Sequence, residues 1–152
     1  MMKILFPLLF FPLLAFSQTA DGVMTDAELE REISKMDSLL FEEAFNNCNF
    51  ELFKSILVDG IEFYDDRTGL NTDLAKEYAS FQDKCSRPLP VTRKLIQHSV
   101  HRLGEFGALQ KGTHIFLNDG QVVQSAQFVT IWKKTETSWI VSRAMSYEHK
   151  DL

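Results

Sequence analysis

Apolar residues recur through the first half of the chain at the spacing of helices, and through the second half with the alternation of strands. Leu29, Ile33, Met36, Leu40 and Ala44 fall three or four apart, and Phe41 and Phe45 widen the stripe. That is the pattern of a helix with one buried face. Thr25 followed by Glu28 forms a capping box that predicts its start, and Asn47 and Asn49 around Cys48 predict its end. Phe50 to Leu57 predicts a short second helix presenting Phe53, Ile56 and Leu57, closed by "VDG" at 58–60. "IEFYD" (61–65) predicts a short strand and "DDRTG" (65–69) the turn after it, because Asp and Gly suit turn conformations. A third helix, capped by Asn71 or Thr72, is predicted from Asp73 to about Lys84, with Leu74, Tyr78 and Phe81 on one side. The prolines of "SRPLP" (86–90) cannot continue it.

From Thr92 the texture changes. "RKLIQHSVHRL" (93–103), "GALQKGTHIFL" (107–117), "QVVQSAQFVTIW" (121–132) and "SWIVSRAMSYEH" (138–149) are long and rich in β-branched or aromatic residues. "GEFG" (104–107) is a turn, "NDG" (118–120) a strong hairpin turn and "KTET" (134–137) a weaker one. Helices followed by an antiparallel meander predict an α+β fold: one curved antiparallel sheet wrapped around about three N-terminal helices. No internal repeat interrupts a single domain over residues 26–150.

The chain's opening, "MMKILFPLLFFPLLAFS", has a positive start at Lys3, an apolar run from Ile4 to Phe16 and small residues before Gln18. These are the parts of a secretory signal peptide, predicted to span residues 1–17, with 18–25 a short leader to the fold. The apolar run falls short of the roughly 20 residues of a membrane span, and two prolines interrupt it. Cleavage before Gln18 delivers a periplasmic or secreted protein. Formal charge is −5 over 152 residues, near −6 after loss of Lys3, and no Lys/Arg stripe forms. A nucleic-acid binder needs a concentrated basic footprint, so that class is set aside. Export permits a disulfide between Cys48 and Cys85, while two small buried thiols are the alternative.

Three stretches carry a resemblance to a known family. "EFYDDRTG" resembles "FYHD-x-x-G", "FGALQKGTHIF" resembles "YGA-x-x-x-G-x-H-x-F", and "FVTIWKKTETSWIVSRAMSYEH" resembles "F-x-x-x-W … W-x-x-x-R-x-x-SYDH". These belong to a branch of unknown function in the nuclear transport factor 2-like superfamily, the cone-shaped fold shared with ketosteroid isomerase and SnoaL-like cyclases. The likeness runs from about residue 26 to 149. It departs where Asp65 replaces a histidine, Leu70 a glycine, and "SYEH" stands for "SYDH". The resemblance implies a fold and a cavity but no activity, since isomerases, cyclases, dehydratases and pure binding modules share the cone.

Strand alternation sorts the closing segment. Trp139, Val141, Arg143, Met145, Tyr147 and His149 point one way; Ile140, Ser142, Ala144, Ser146 and Glu148 point the other. A two-residue loop at "ET" places Thr135 opposite Ser138, Thr130 opposite Arg143 and Ala126 opposite Tyr147. Phe128 and Trp132 then share a face with Arg143 and Tyr147, aromatic with a few polar groups, as ligand cavities are. A bulge would reassign every side chain. Tyr64, Phe116, Phe128, Thr130, Trp132, Arg143 and Tyr147 are the cavity candidates. Gly112, without a side chain in mid-strand, marks a bulge or close approach, and His114 beside it looks into the cone or sits satisfied in the core.

Asp66, His114 and His149 are the catalytic candidates. A carboxylate half-buried among aromatic groups has a raised pKa suited to a general base; Asp66 could equally orient a histidine or only cap its turn. The three could form a two-His, one-carboxylate set, but they lack local ligand spacing, and His98 and His101 lie on opposite faces of a strand. No metal or cofactor is expected. The leading expectation is an exported protein holding a small molecule in its cone. The alternatives are an isomerase, dehydratase or hydrolase using Asp66, His114 or His149 as acid–base, with Tyr147 or Arg143 holding an oxyanion, and a module that pairs two copies through the sheet.

Overall fold

The Thr25 side chain accepts from the Glu28 N–H while the Glu28 carboxylate accepts from the Thr25 N–H, so both halves of the capping box form. This is seen in a computed structural model that describes residues 24–152; the expected signal peptide and most of the leader lie outside the described residues. From this cap α1 (Asp26–Ser38) runs into a π-helical stretch, Leu39–Asn46. A π-helical segment of this length is rare, and such segments cluster at functional sites. Leu29, Ile33, Met36, Leu40 and Ala44 are all buried, as their spacing predicts. Next come α2 (Phe50–Ile56), β1 (Leu57–Asp65), β2 (Gly69–Asn71) and α3 (Leu74–Ser86). Asp73 caps α3, rather than Asn71 or Thr72, by accepting from the Ala75 and Lys76 N–H groups. "VDG" does not close α2: it opens β1, where Gly60 takes φ +80° at a register irregularity between Leu57 and Glu62.

Four long strands follow, β3 (Thr92–Leu103), β4 (Gly107–Asn118), β5 (Gln121–Lys134) and β6 (Trp139–Asp151), and they form the expected antiparallel meander. The sheet order is β2-β1-β6-β5-β4-β3. Because β1 lies parallel to β6, the curved sheet is mixed rather than purely antiparallel, and α+β in class. Its concave side takes the helices. Leu29, Ile33, Ile56, Ile61, Trp132 and Val141 meet there with almost no exposure, each contributing on the order of 1.5–3 kcal/mol by burial. Cys48 and Cys85 form a disulfide, with Cα atoms 5.7 Å apart, that ties the turn after the π-helical stretch to the last turn of α3. Among the described residues no helix is long and apolar enough to cross a membrane.

Two bulges in β6 decide which residues enter the cone. The two-residue loop forms as expected, with the Thr135 N–H donating to the Ser138 carbonyl, and Trp132 pairs with Val141. The next pair is Ile131 with Arg143, so Ser142 is an extra residue; its hydroxyl donates to the Ile131 carbonyl. One extra residue sends every later side chain to the other face. Ala144 and Ser146 therefore turn inward, opposite Thr130 and Phe128. A second irregularity follows: Gln127 pairs with Tyr147, but Ser125 pairs with Lys150, and Glu148 adopts φ +54°. It inverts the alternation again and returns His149 to the inner side. Gly112 is explained by close approach, because a Cβ there would sit 2.1 Å from the Gln97 carbonyl oxygen at a register shift in β3.

Candidate functional site

Between the helices and the concave face lies a cavity of about 180 Å³. Phe41, Phe45 and Phe53 enter it from the helices, Ile61 and Phe63 from β1, and Phe116, Phe128 and Ala144 from the sheet. Its polar lining is confined to Glu77, His114, Thr130 and Ser146. The alternating inward positions of β4 and β5 place His114 beside Phe128, stacked at 5.0 Å between ring centroids, and edge-on to Phe116 at 4.8 Å. Phe116, Phe128 and Thr130 line the cavity. Trp132 is inward and fully buried but sits deeper, where its indole N–H donates to Gln110 at 2.8 Å.

Three expected lining residues lie elsewhere. Arg143 is on the convex side, paired in a fork with Glu62 at 2.7 and 3.2 Å, and the Tyr64 hydroxyl donates to the same carboxylate at 3.0 Å. Tyr147 is 38% exposed on that side. The bulge at Ser142 removed Arg143 and Tyr147 from the cavity, and with them the expected oxyanion donors. Tyr64 lies with them, exposed and held to Glu62.

The three catalytic candidates, in contrast, are joined by a single chain of hydrogen bonds. Asp66, in the turn after β1, contacts His149 twice: one carboxylate oxygen bonds the ring Nδ1 and the other accepts the backbone N–H at 3.3 Å. His149 Nε2 lies 3.0 Å from Ser146 Oγ, and Ser146 Oγ lies 3.4 Å from His114 Nε2. Behind His114, Arg93 Nε donates to Nδ1 at 3.3 Å. The Arg93 guanidinium grips Asp37 at 2.6 and 3.1 Å, with both side chains almost wholly buried. Asp37 also accepts from Gln110 at 3.0 Å, which in turn contacts His98 at 2.9 Å. Asn46, ending the π-helical stretch, clamps the Arg93 backbone with two hydrogen bonds. A half-satisfied network would be costly in this apolar setting, and among the described residues no buried side-chain polar atom lacks a partner.

The direction of these bonds follows from Arg93. A guanidinium only donates, so His114 Nδ1 accepts. Burial first, and the Arg93 charge second, push the His114 pKa down to about 3, which keeps the ring neutral with its proton on Nε2. That proton points at Ser146 Oγ. The Ser146 hydroxyl is then free to donate to His149 Nε2, leaving the His149 proton on Nδ1, aimed at Asp66. Asp66 is not the raised carboxyl expected from its aromatic sequence context: it is partly exposed, and the His149 hydrogen bond holds it below the usual carboxylate range. It orients His149. Neither Asp66 nor His149 reaches the cavity wall, which they meet only through Ser146.

Ser146, Asp37 and Arg93 escaped the reading of the sequence. Alternation placed Ser146 outside, and nothing local marks the bulge that brings it in. Asp37 did carry a signal, since it lies four residues after Ile33, within the buried stripe, where an unpaired charge is not tolerated. A different acidic group, Asp65, Asp66 and His149, brings its donor atoms within 4.8 Å of one another. His114 is not among them.

A mixed sheet curved around helices, with an apolar cavity at its concave face, defines the cone of the nuclear transport factor 2-like fold. Solved structures agree. An NTF2-like protein from Cytophaga hutchinsonii superposes with a TM-score of 0.65 at 12% identity, over 77% of this chain and 95% of that one. The CaMKII hub homology domain of Chlamydomonas reinhardtii gives 0.65 at 16%, over 77% and 95%. LinA gives 0.62 at 13%, over 81% and 88%. At these identities the likeness is one of fold. No family model matches the chain, and no curated protein sequence does.

Proposed function

We propose that this protein binds a small, largely apolar molecule in the apolar cavity of its cone, with the molecule's polar group against His114 and Ser146. The observation that carries the reading is the cavity itself: aromatic and aliphatic walls with a few convergent polar groups, the make-up of small-molecule sites. Its size selects the ligand. A dry apolar cavity of about 150 Å³ takes a benzene-sized molecule, so a single ring or a short acyl chain fits the 180 Å³ here. Thermal shift against phenols, short-chain carboxylic acids and their esters tests this. A binder held at about 100 times its Kd gains roughly 2.7 kcal/mol. Ala144→Leu, which fills the space, should abolish the shift while the protein stays folded; a shift that survives Ala144→Leu places the ligand elsewhere.

Acid–base chemistry on the bound molecule is the second reading, favoured by the hydrogen bonds that align Asp66 and His149 on a cavity serine. Export is part of the proposal as well. It is supported by the apolar opening of the chain and by the Cys48–Cys85 disulfide, since such bonds persist in oxidising compartments. Similarity to a hub homology domain supports self-association, which sedimentation of the mature chain would test.

A further inference from the structure

Ser146, His149 and Asp66 stand in the order of a base-activated nucleophile. The serine hydroxyl meets Nε2 of the histidine at 3.0 Å, and the carboxylate meets Nδ1 of the same ring. In hydrolases with this arrangement the carboxylate fixes the tautomer and the imidazole takes the hydroxyl proton. The constellation is recognised by geometry and roles rather than by fold or chain order. Here each role has an independent structural cause. Glu148, at φ +54°, is the extra residue that puts Ser146 and His149 on one face although they are three apart in a strand. Asp66 is locked to both the ring and the backbone of His149. Arg93 forces His114 to present its Nε2 proton toward Ser146 Oγ. Of the three, Ser146 alone lines the cavity, which is where a nucleophile belongs.

We infer that Ser146 is an acyl-accepting nucleophile that attacks esters or thioesters of short-chain or single-ring acids held in the cavity. The inference rests on the small-molecule reading of that cavity. Ser146 Oγ forms a bond to the acyl carbon as its proton passes to His149 Nε2, and the carbonyl π pair moves onto oxygen. The His114 Nε2–H, 3.4 Å from Oγ, is the neighbouring donor for that oxygen, which is bonded to the same carbon. Collapse of the tetrahedral species breaks the bond to the alcohol or thiol, which leaves with the proton from His149. Water then attacks the acyl-serine, its proton moving through His149 to the departing Ser146 oxygen, and the free acid is released. Asp66 acts as a positioning residue: its carboxylate bonds the ring and backbone of His149 and does not reach the cavity.

The inward position and small cavity set the substrate range. p-Nitrophenyl acetate and butyrate are expected to give a burst of one nitrophenolate per chain and an acyl group on the peptide containing Ser146, whereas the palmitate ester, too long for 180 Å³, gives none. Ser146→Ala should abolish the burst, and His149→Gln should slow it at least 100-fold, as loss of a general base does. Asp66→Asn should slow the burst without changing the ester concentration at which it saturates, a split that a merely structural role would not produce. If Ser146→Ala does not fold, mapping of the acylated wild-type chain decides: an acyl group on any other residue, or none, overturns the inference. Phenol thermal shift on the same preparations separates the two claims. A phenol shift without acylation leaves the cavity reading standing and removes the nucleophile; the absence of both removes both.

Discussion

His114 should make this protein acid-labile in a way that can be assigned to one side chain. Its ordinary value is 6.5, and burial with the Arg93 charge holds it at about 3 in the folded protein. Arg93 faces it from β3, His149 from β6 and Glu77 from across the cavity. Between those values the unfolded chain carries a proton that the folded one refuses. Stability therefore rises with pH across this window and is lost as pH falls from 6.5 toward 3. One proton costs 1.36 kcal/mol per pH unit, so moving from pH 7 to pH 4.5 should remove about 2–3 kcal/mol through His114. At the usual urea dependence of about 1–3 kcal/mol per molar, the unfolding midpoint falls by roughly 1–3 M. Carboxylates also contribute to acid lability, so the informative quantity is a difference between proteins. His114→Gln keeps an amide donor near Ser146 but does not titrate, and its midpoint should fall less over the same interval by that amount. Identical pH dependence in the two proteins would refute the buried, neutral His114 and, with it, the assigned direction of the hydrogen bonds.

Two further outcomes test the frame around the site. Asp37→Ala leaves the Arg93 charge buried without its partner and should cost about 3–5 kcal/mol, measured by urea unfolding; a cost under about 1 kcal/mol would show that the pair is not buried as described. Reduction of Cys48–Cys85, which are separated by 37 residues, should cost about 4 kcal/mol from loop entropy, read as a fall in the unfolding midpoint with dithiothreitol. An unchanged midpoint would mean that the two thiols are free.

The helices, the turns and the meander were legible because their signals are local. A capping box, an apolar stripe and the Asp119–Gly120 turn, whose positive φ values suit those residues, each act within a few positions. The cavity walls on β4 and β5 were legible for the same reason, since their alternation runs unbroken from Gly107 to Phe116 and from Ala126 to Trp132. The wall on β6 was not. Its two bulges fall at Ser142 and Glu148, and neither residue type advertises one; a glycine at the positive-φ position would have. Alternation counted through the first bulge put Arg143 and Tyr147 inside and Ser146 outside. Counted through both, it returned His149 to its expected face, an agreement produced by two inversions that cancel. The ion pair beneath the site was hidden for a different reason: Asp37 and Arg93 are 56 positions apart, and only the closed cone brings them together. The consequence for the chemistry is direct. Two residues three apart on a regular strand face opposite ways, so Ser146 and His149 can touch only across an extra residue. The bulge at Ser142 turns Ser146 to the cavity, and the one at Glu148 brings His149, with Asp66, against it.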